Sequence, residues 1–109
     1  MLSEMQLQQY SKEGYLLLPE LVPADTLAEL NQRFLDIVTG QHPCSGAMKI
    51  MRDVMVVKGA IEPETALHGV NKLFCLEDDD VLNRFAALPE LVRCVQSLIG
   101  DKIYSLTSN

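Results

Sequence analysis

Basic residues are scarce: nine Lys and Arg stand against fifteen Asp and Glu in 109 residues, for a net charge of −6. They form no cluster, and gripping a phosphate backbone needs a concentrated Lys/Arg face, so the chain is a poor candidate for nucleic-acid binding. Long apolar runs are missing too; the longest are about four residues, far short of a membrane span. The opening "MLSEMQLQQY" lacks the basic flank and apolar stretch of a signal peptide, so none is expected. Cysteines number only three, Cys44, Cys75 and Cys94, at spacings that fit no metal site. They read as reduced thiols of a cytoplasmic protein. There is no Gly-rich phosphate loop, no Gly-x-Ser-x-Gly and no Ser/His/Asp set. No internal repeat, linker or low-complexity segment is visible.

What is present argues for packing. Hydrophobic residues make up 48% of the chain, enough for a core in one domain or a piece of one. Ser3 followed by Gln6 is a capping box, and Gly14 supplies a stop, which predicts a helix over residues 4 to 13. "YLLLPEL" is too short for a helix and reads as a buried strand. Pro23 opens a second helix to about Val38, with Leu27, Leu30, Phe34, Ile37 and Val38 on one face and Gly40 after it. "QHPCSGA" is a loop by composition, and "MKIMRDVMVVKG" reads as extended. "GVNKLF" fits strand or helix equally. The acids Asp78 to Asp80 head a further helix, "VLNRFAAL". Pro89 opens the last one, with Leu91, Val92, Val95, Leu98 and Ile99 inward and Gly100 as its cap. "KIYSLTSN" begins as a strand, with nothing after it to pair with.

Few residues invite chemistry. His42 and Cys44 in "HPC" sit in a loop, and His68 has no companion ligand, so solvated histidines are expected rather than a metal site. Cys75 and Cys94 fall on apolar faces, where a thiol acts as a small hydrophobe. Glu77 to Asp80 lack the ligand spacing and loop glycine of a calcium loop, and read as a helix start. Arg52 and Asp53 are neighbours in an apolar stretch, so on a strand one of them faces inward and needs a partner; an ion pair within the domain is expected. Lys72 lies inside the apolar run "GVNKLF". Either its stem packs on Val70 and Phe74 with its head in water, or it is held to meet an anion.

The order of segments carries more than any one of them. "QYSKEGYLLLPELVPADTLAELNQRF", then "IMRDV", "VNKLF" and "LPELVRCVQSLIGDKIYSL", resemble the phytanoyl-CoA dioxygenase family over about residues 9 to 106. The resemblance implies a non-haem iron(II), 2-oxoglutarate-dependent oxygenase that hydroxylates a carbon of a small-molecule or acyl-CoA-type substrate, built on a double-stranded β-helix or jelly roll. The implied fold class is α+β, with residues 1–109 the mainly helical N-terminal part of one incomplete domain. The lysine of the "NK" pair implies a 2-oxoglutarate contact at Lys72. The implied iron ligands, a His-x-Asp pair and a distant histidine, are missing: His42 is followed by Pro-Cys and His68 by Gly-Val. The arginine that would clasp 2-oxoglutarate is missing as well, and Asn109 stands where the family often has a methionine. The chain alone is therefore expected to bind neither iron(II) nor 2-oxoglutarate. A competing expectation is a helical interaction module that associates with itself or a protein partner through exposed apolar faces.

Overall fold

The computed structural model describes residues 1–109. Ser3 caps α1 (Glu4–Glu13), with its side chain accepting from the Gln6 N–H at 3.2 Å while the Gln6 amide oxygen accepts from the Ser3 N–H at 2.9 Å. Gly14, at φ +82°, turns the chain out of the helix as a left-handed C-cap. No strand follows. Leu16 and Leu18 are half-buried and Leu17 is 77% exposed, with no second strand alongside to satisfy the backbone. An apolar run is a strand only when a ladder partner reaches it.

Pro23 is the N-cap of α2 (Ala24–Val38), whose Ile37 and Val38 are buried and whose Phe34 packs against the core. Leu27, expected inward, is exposed. The stretch expected to be extended divides in two. Residues Lys49–Arg52 form β1, and Val54–Val57 form one helical turn, α3, because the Asp53 carboxylate accepts from the N–H groups of Met55 and Val56. Asp53 thus spends its charge as a cap, and Arg52 is exposed, so the expected inward ion pair is absent.

The ambiguous "VNKLF" is a strand, β2 (Val70–Phe74), antiparallel to β1. Ile50 faces Leu73, Met51 faces Lys72 and Lys49 faces Phe74, and the register slips between Met51 and Arg52. Asp79 caps α4 (Asp80–Ala86), and Pro89 starts α5 (Pro89–Ile99), which ends at Gly100. Ile99, expected inward, is 68% exposed. The final segment is no strand. Instead the Ser108 carbonyl accepts from the Cys75 N–H at 3.0 Å, and the Ser108 hydroxyl accepts from the Leu76 N–H at 2.8 Å.

The core is Ile37, Met48 and Leu73, with Phe34, Ile50, Leu76 and Leu82 packed against it. It lies between α2, the inner face of the ribbon and α4. At the other end the Leu2 N–H donates to the Ser97 hydroxyl at 3.3 Å, seating the N-terminus on α5. The radius of gyration is 17.1 Å, where a compact chain of this length has about 13 Å. The architecture is a mixed one, helices with a single small sheet.

Candidate functional site

The ribbon β1–β2 has two unlike faces because successive side chains on a strand alternate. Leu73 and Ile50 point into the core. Lys72, between Leu73 and Asn71, points the other way, together with Phe74 on its own strand and Met51 and Lys49 across the ribbon. The Lys72 ammonium lies over the Phe74 ring, 5.1 Å from its centroid. That is a cation–π contact, which holds the charge at the surface without neutralising it. Leu73, a sequence neighbour of Lys72, contributes nothing to this face. Sequence reasoning singled out Lys72 and passed over Lys49, whose place on the same face is set by register rather than by sequence spacing.

The four acids of "EDDD" are drawn off separately, which leaves Lys72 without any of them. The Glu77 carboxylate accepts from the Ser108 hydroxyl, a contact that together with a backbone hydrogen bond holds its carboxyl below the ordinary range. Asp78 accepts from the Ala47 N–H at 2.6 Å and so pins the loop before β1 against the turn after β2. Gly46 sits at φ +55°, and a Cβ there would lie 2.7 Å from the Asp78 carboxylate, so this clasp needs glycine. Asp79, 1% exposed, accepts from the Val81 and Leu82 N–H groups at 3.1 and 2.9 Å, with the Arg33 guanidinium 3.8 Å away. Asp80 reaches Arg33 at 3.4 Å, and Arg84 pairs with Glu29 at 2.8 Å, tying α4 to α2.

The remaining candidates stand apart. The His42 ring nitrogen Nδ1 is 2.8 Å from the Pro43 carbonyl, and that of His68 is 2.9 Å from the Thr65 hydroxyl. All three cysteines are free thiols, with Cys44 exposed and Cys94 buried. No three His, Cys, Asp or Glu side chains converge where a metal ion would be held. Asn109 lies on a cleft of about 450 Å³ between the chain end and Leu76, Leu82 and Phe85, away from the ribbon's outer face. No helix is long and apolar enough to cross a membrane.

Helices with a small antiparallel ribbon around one core make this a mixed helix-and-sheet chain. Over 100 residues, 92% of the chain, it is 33% identical to a probable phytanoyl-CoA dioxygenase of Caenorhabditis elegans, covering 31% of that protein. It is 29% identical over 97 residues to the peroxisomal phytanoyl-CoA dioxygenase of Mus musculus, and 26% identical over the same length to that of Homo sapiens, covering 28% of each. The chain is thus homologous to phytanoyl-CoA dioxygenases, as the order of its segments suggested, and spans about three tenths of the length of these relatives. No family model and no solved structure matches it.

Proposed function

We propose that residues 1–109 are the N-terminal part of an iron(II)/2-oxoglutarate-dependent dioxygenase that hydroxylates a carbon of a small-molecule or acyl-CoA-type substrate. The observation that carries this reading is the likeness to proteins named phytanoyl-CoA dioxygenase along about nine tenths of the chain. In the whole protein, iron with 2-oxoglutarate would supply the oxidising chemistry. The histidines and acids of these 109 residues do not fit an iron site, because His42 and His68 have no converging partners. No catalytic step is assigned to them, and the chain alone is read as inactive. The jelly roll belongs to the proposal as the part of the fold that would cover the half-exposed faces of α2 and α5. The free thiols fit a reducing compartment such as the cytoplasm.

Lys72 is assigned to 2-oxoglutarate. What supports this is a half-buried cation without a carboxylate partner, on the ribbon face turned away from the core, at the family's "NK" position. A hydrogen bond to a charged group contributes roughly 1.5–3 kcal/mol. Lys72→Ala in the longer protein therefore weakens 2-oxoglutarate by on the order of tenfold to a hundredfold and leaves iron affinity intact. Lys72→Arg rescues only in part, since a planar fork replaces a compact ammonium. An unchanged 2-oxoglutarate affinity in Lys72→Ala returns this lysine to a surface role. The wider reading is tested by the nucleotide sequence beyond the Asn109 codon, where a frame encoding His-x-Asp is expected, and by iron titration with turnover assays on the purified chain. Stoichiometric iron with turnover would overturn the inactivity of residues 1–109.

A second reading, a helical module that associates through apolar faces, draws on the exposed Met5, Leu17, Ile99 and Leu106. Light scattering after size exclusion separates the two. A stable monomer with a cooperative melt speaks against the module.

A further inference from the structure

We propose that two copies of this chain pair through the lobe between Asp53 and Gly69, burying its apolar tip against the same tip of a second copy and exchanging Lys58 for Glu62 across a two-fold axis. This sharpens the second reading above, because it moves the association from scattered faces to one lobe. The lobe is closed at its base, where the Asp53 N–H donates to the Gly69 carbonyl at 2.9 Å. It packs on itself: a Cβ on Gly69 would lie 3.5 Å from the Pro63 ring and 3.8 Å from the Val56 side chain. With Val56 turned in, helical geometry turns the other residues of α3 out, and Val54, Met55 and Val57 are 58%, 43% and 71% exposed. Gly59, at φ +75°, ends α3 in a Schellman turn, its N–H donating to the Val56 carbonyl and that of Ala60 to the Met55 carbonyl. The Ile61 N–H reaches the same Met55 carbonyl at 3.3 Å, which folds Ile61, 56% exposed, back beside Met55. The lobe's own packing therefore leaves four apolar side chains in water.

Charge decides what covers them. Lys58 caps the far end of α3, whereas Glu62 follows Ile61 back toward the start of that helix, so the two stand at opposite ends of the tip. Both are exposed, and neither enters an ion pair. A matching surface has to offer an acid, then an apolar patch, then a base. A second copy turned by two-fold symmetry offers all three, because every contact in such an interface occurs twice. An anionic membrane supplies one sign only and is repelled by Glu62, Glu64 and the net charge of −6. The tip amounts to roughly a few hundred Å², the size at which apolar patches mark interaction sites. Doubled and rimmed by the two charges it stays below about 1,200 Å², which makes the dimer weak, with a Kd on the order of 100 μM.

The test is sedimentation velocity of the 109-residue chain from about 10 μM to about 1 mM, where a monomer–dimer equilibrium is expected. Val57→Ser should weaken the dimer by about tenfold, since the side chain is lost from both copies. Lys58→Glu and Glu62→Lys should each weaken it by about fivefold, and the double variant should recover most of the affinity because the exchanged pairs re-form with signs reversed. Leu17→Ser should leave it unchanged. All four positions are exposed, and an unchanged far-ultraviolet circular dichroism spectrum confirms that the variants fold. A dimer lost in Leu17→Ser and kept in Val57→Ser overturns the lobe and leaves association through the other faces standing. A double variant no tighter than either single one overturns the charge-exchanged arrangement. A monomer at every concentration overturns the dimer and the second reading together, and one that co-sediments with phosphatidylserine vesicles assigns the tip to a membrane instead.

Discussion

Around the inner face of the ribbon, Ile37, Met48 and Leu73 are all but sealed from water, and Phe34, Ile50, Leu76 and Leu82 pack against them. At the α1 end, Met5 and Leu17 are of the same chemical kind and remain 81% and 77% exposed. The composition of the two regions does not differ enough to explain this. What differs is whether another element arrives: α2, β1 and α4 converge on Leu73, whereas α1 has no buried residue of its own. Apolar content is a capacity for packing, and topology decides where it is used.

The sharpest way to break this contrast is Leu73→Ala, expected to lower stability by about 2–5 kcal/mol through lost burial and a cavity. Leu17→Ser, by contrast, should change it by no more than about 0.5 kcal/mol. Urea denaturation of both variants measures the difference, and equal effects would mean that the chain packs its α1 end in solution. Next in size is Asp79→Ala. It removes two capping bonds on α4 and leaves Arg33 half of its acidic partners, a loss of about 2–3 kcal/mol in the same measurement. Restoring the cap alone with Asn should recover only part of it.

The smallest effect lies at the chain end. The Ser108 hydroxyl, and then a backbone hydrogen bond, hold the Glu77 carboxyl below its ordinary value. A depressed carboxylate stabilises the folded contact above the ordinary carboxyl range, and that stabilisation is lost as pH falls through the lowered value. Acidification below about pH 4 is therefore expected to free residues 105 to 109 before the core opens. Amide exchange at Leu76, whose N–H donates to the Ser108 hydroxyl, and at Leu73 reports the two events separately, and Ser108→Ala should abolish the first. Simultaneous loss at both would place the tail within the cooperative unit.

Helix boundaries were legible because each is written in local chemistry. Ser3 with Gln6, Pro23, the acids at Asp79 and Asp80, and Pro89 satisfy or pre-shape the first turn wherever the helix later docks. Strands were less legible, since "YLLLPEL" and "VNKLF" are alike in hydropathy and only the second meets a partner. The turn at α3 was hidden by "VMVV", whose β-branched residues favour extension; the signal was Asp53, which sequence reasoning had set aside for an ion pair. At the candidate site, Lys72 was singled out through the family resemblance, and its role there is a proposal. Lys49 was not singled out, because the two lysines are 23 positions apart in sequence (72 − 49 = 23) and share a face only through the ribbon's register. Ile99 was misplaced because the 3.6-residue period marks a face without saying that anything covers its last turn.

One consequence of the ribbon's closure concerns chain entropy. The Asp53 N–H donates to the Gly69 carbonyl at 2.9 Å, so everything from Val54 to His68 is a loop whose two ends are tied at one point. The free energy of closing such a loop grows only with the logarithm of its length. Eight Gly/Ser residues inserted after Gly59, where a side chain would meet nothing within 4 Å, should cost about 0.3 kcal/mol and leave the facing of Lys49 with Phe74 unchanged. The register of the ribbon is thereby uncoupled from the length of the segment it encloses, and this part of the chain is free to vary in size without disturbing the charges that the ribbon displays.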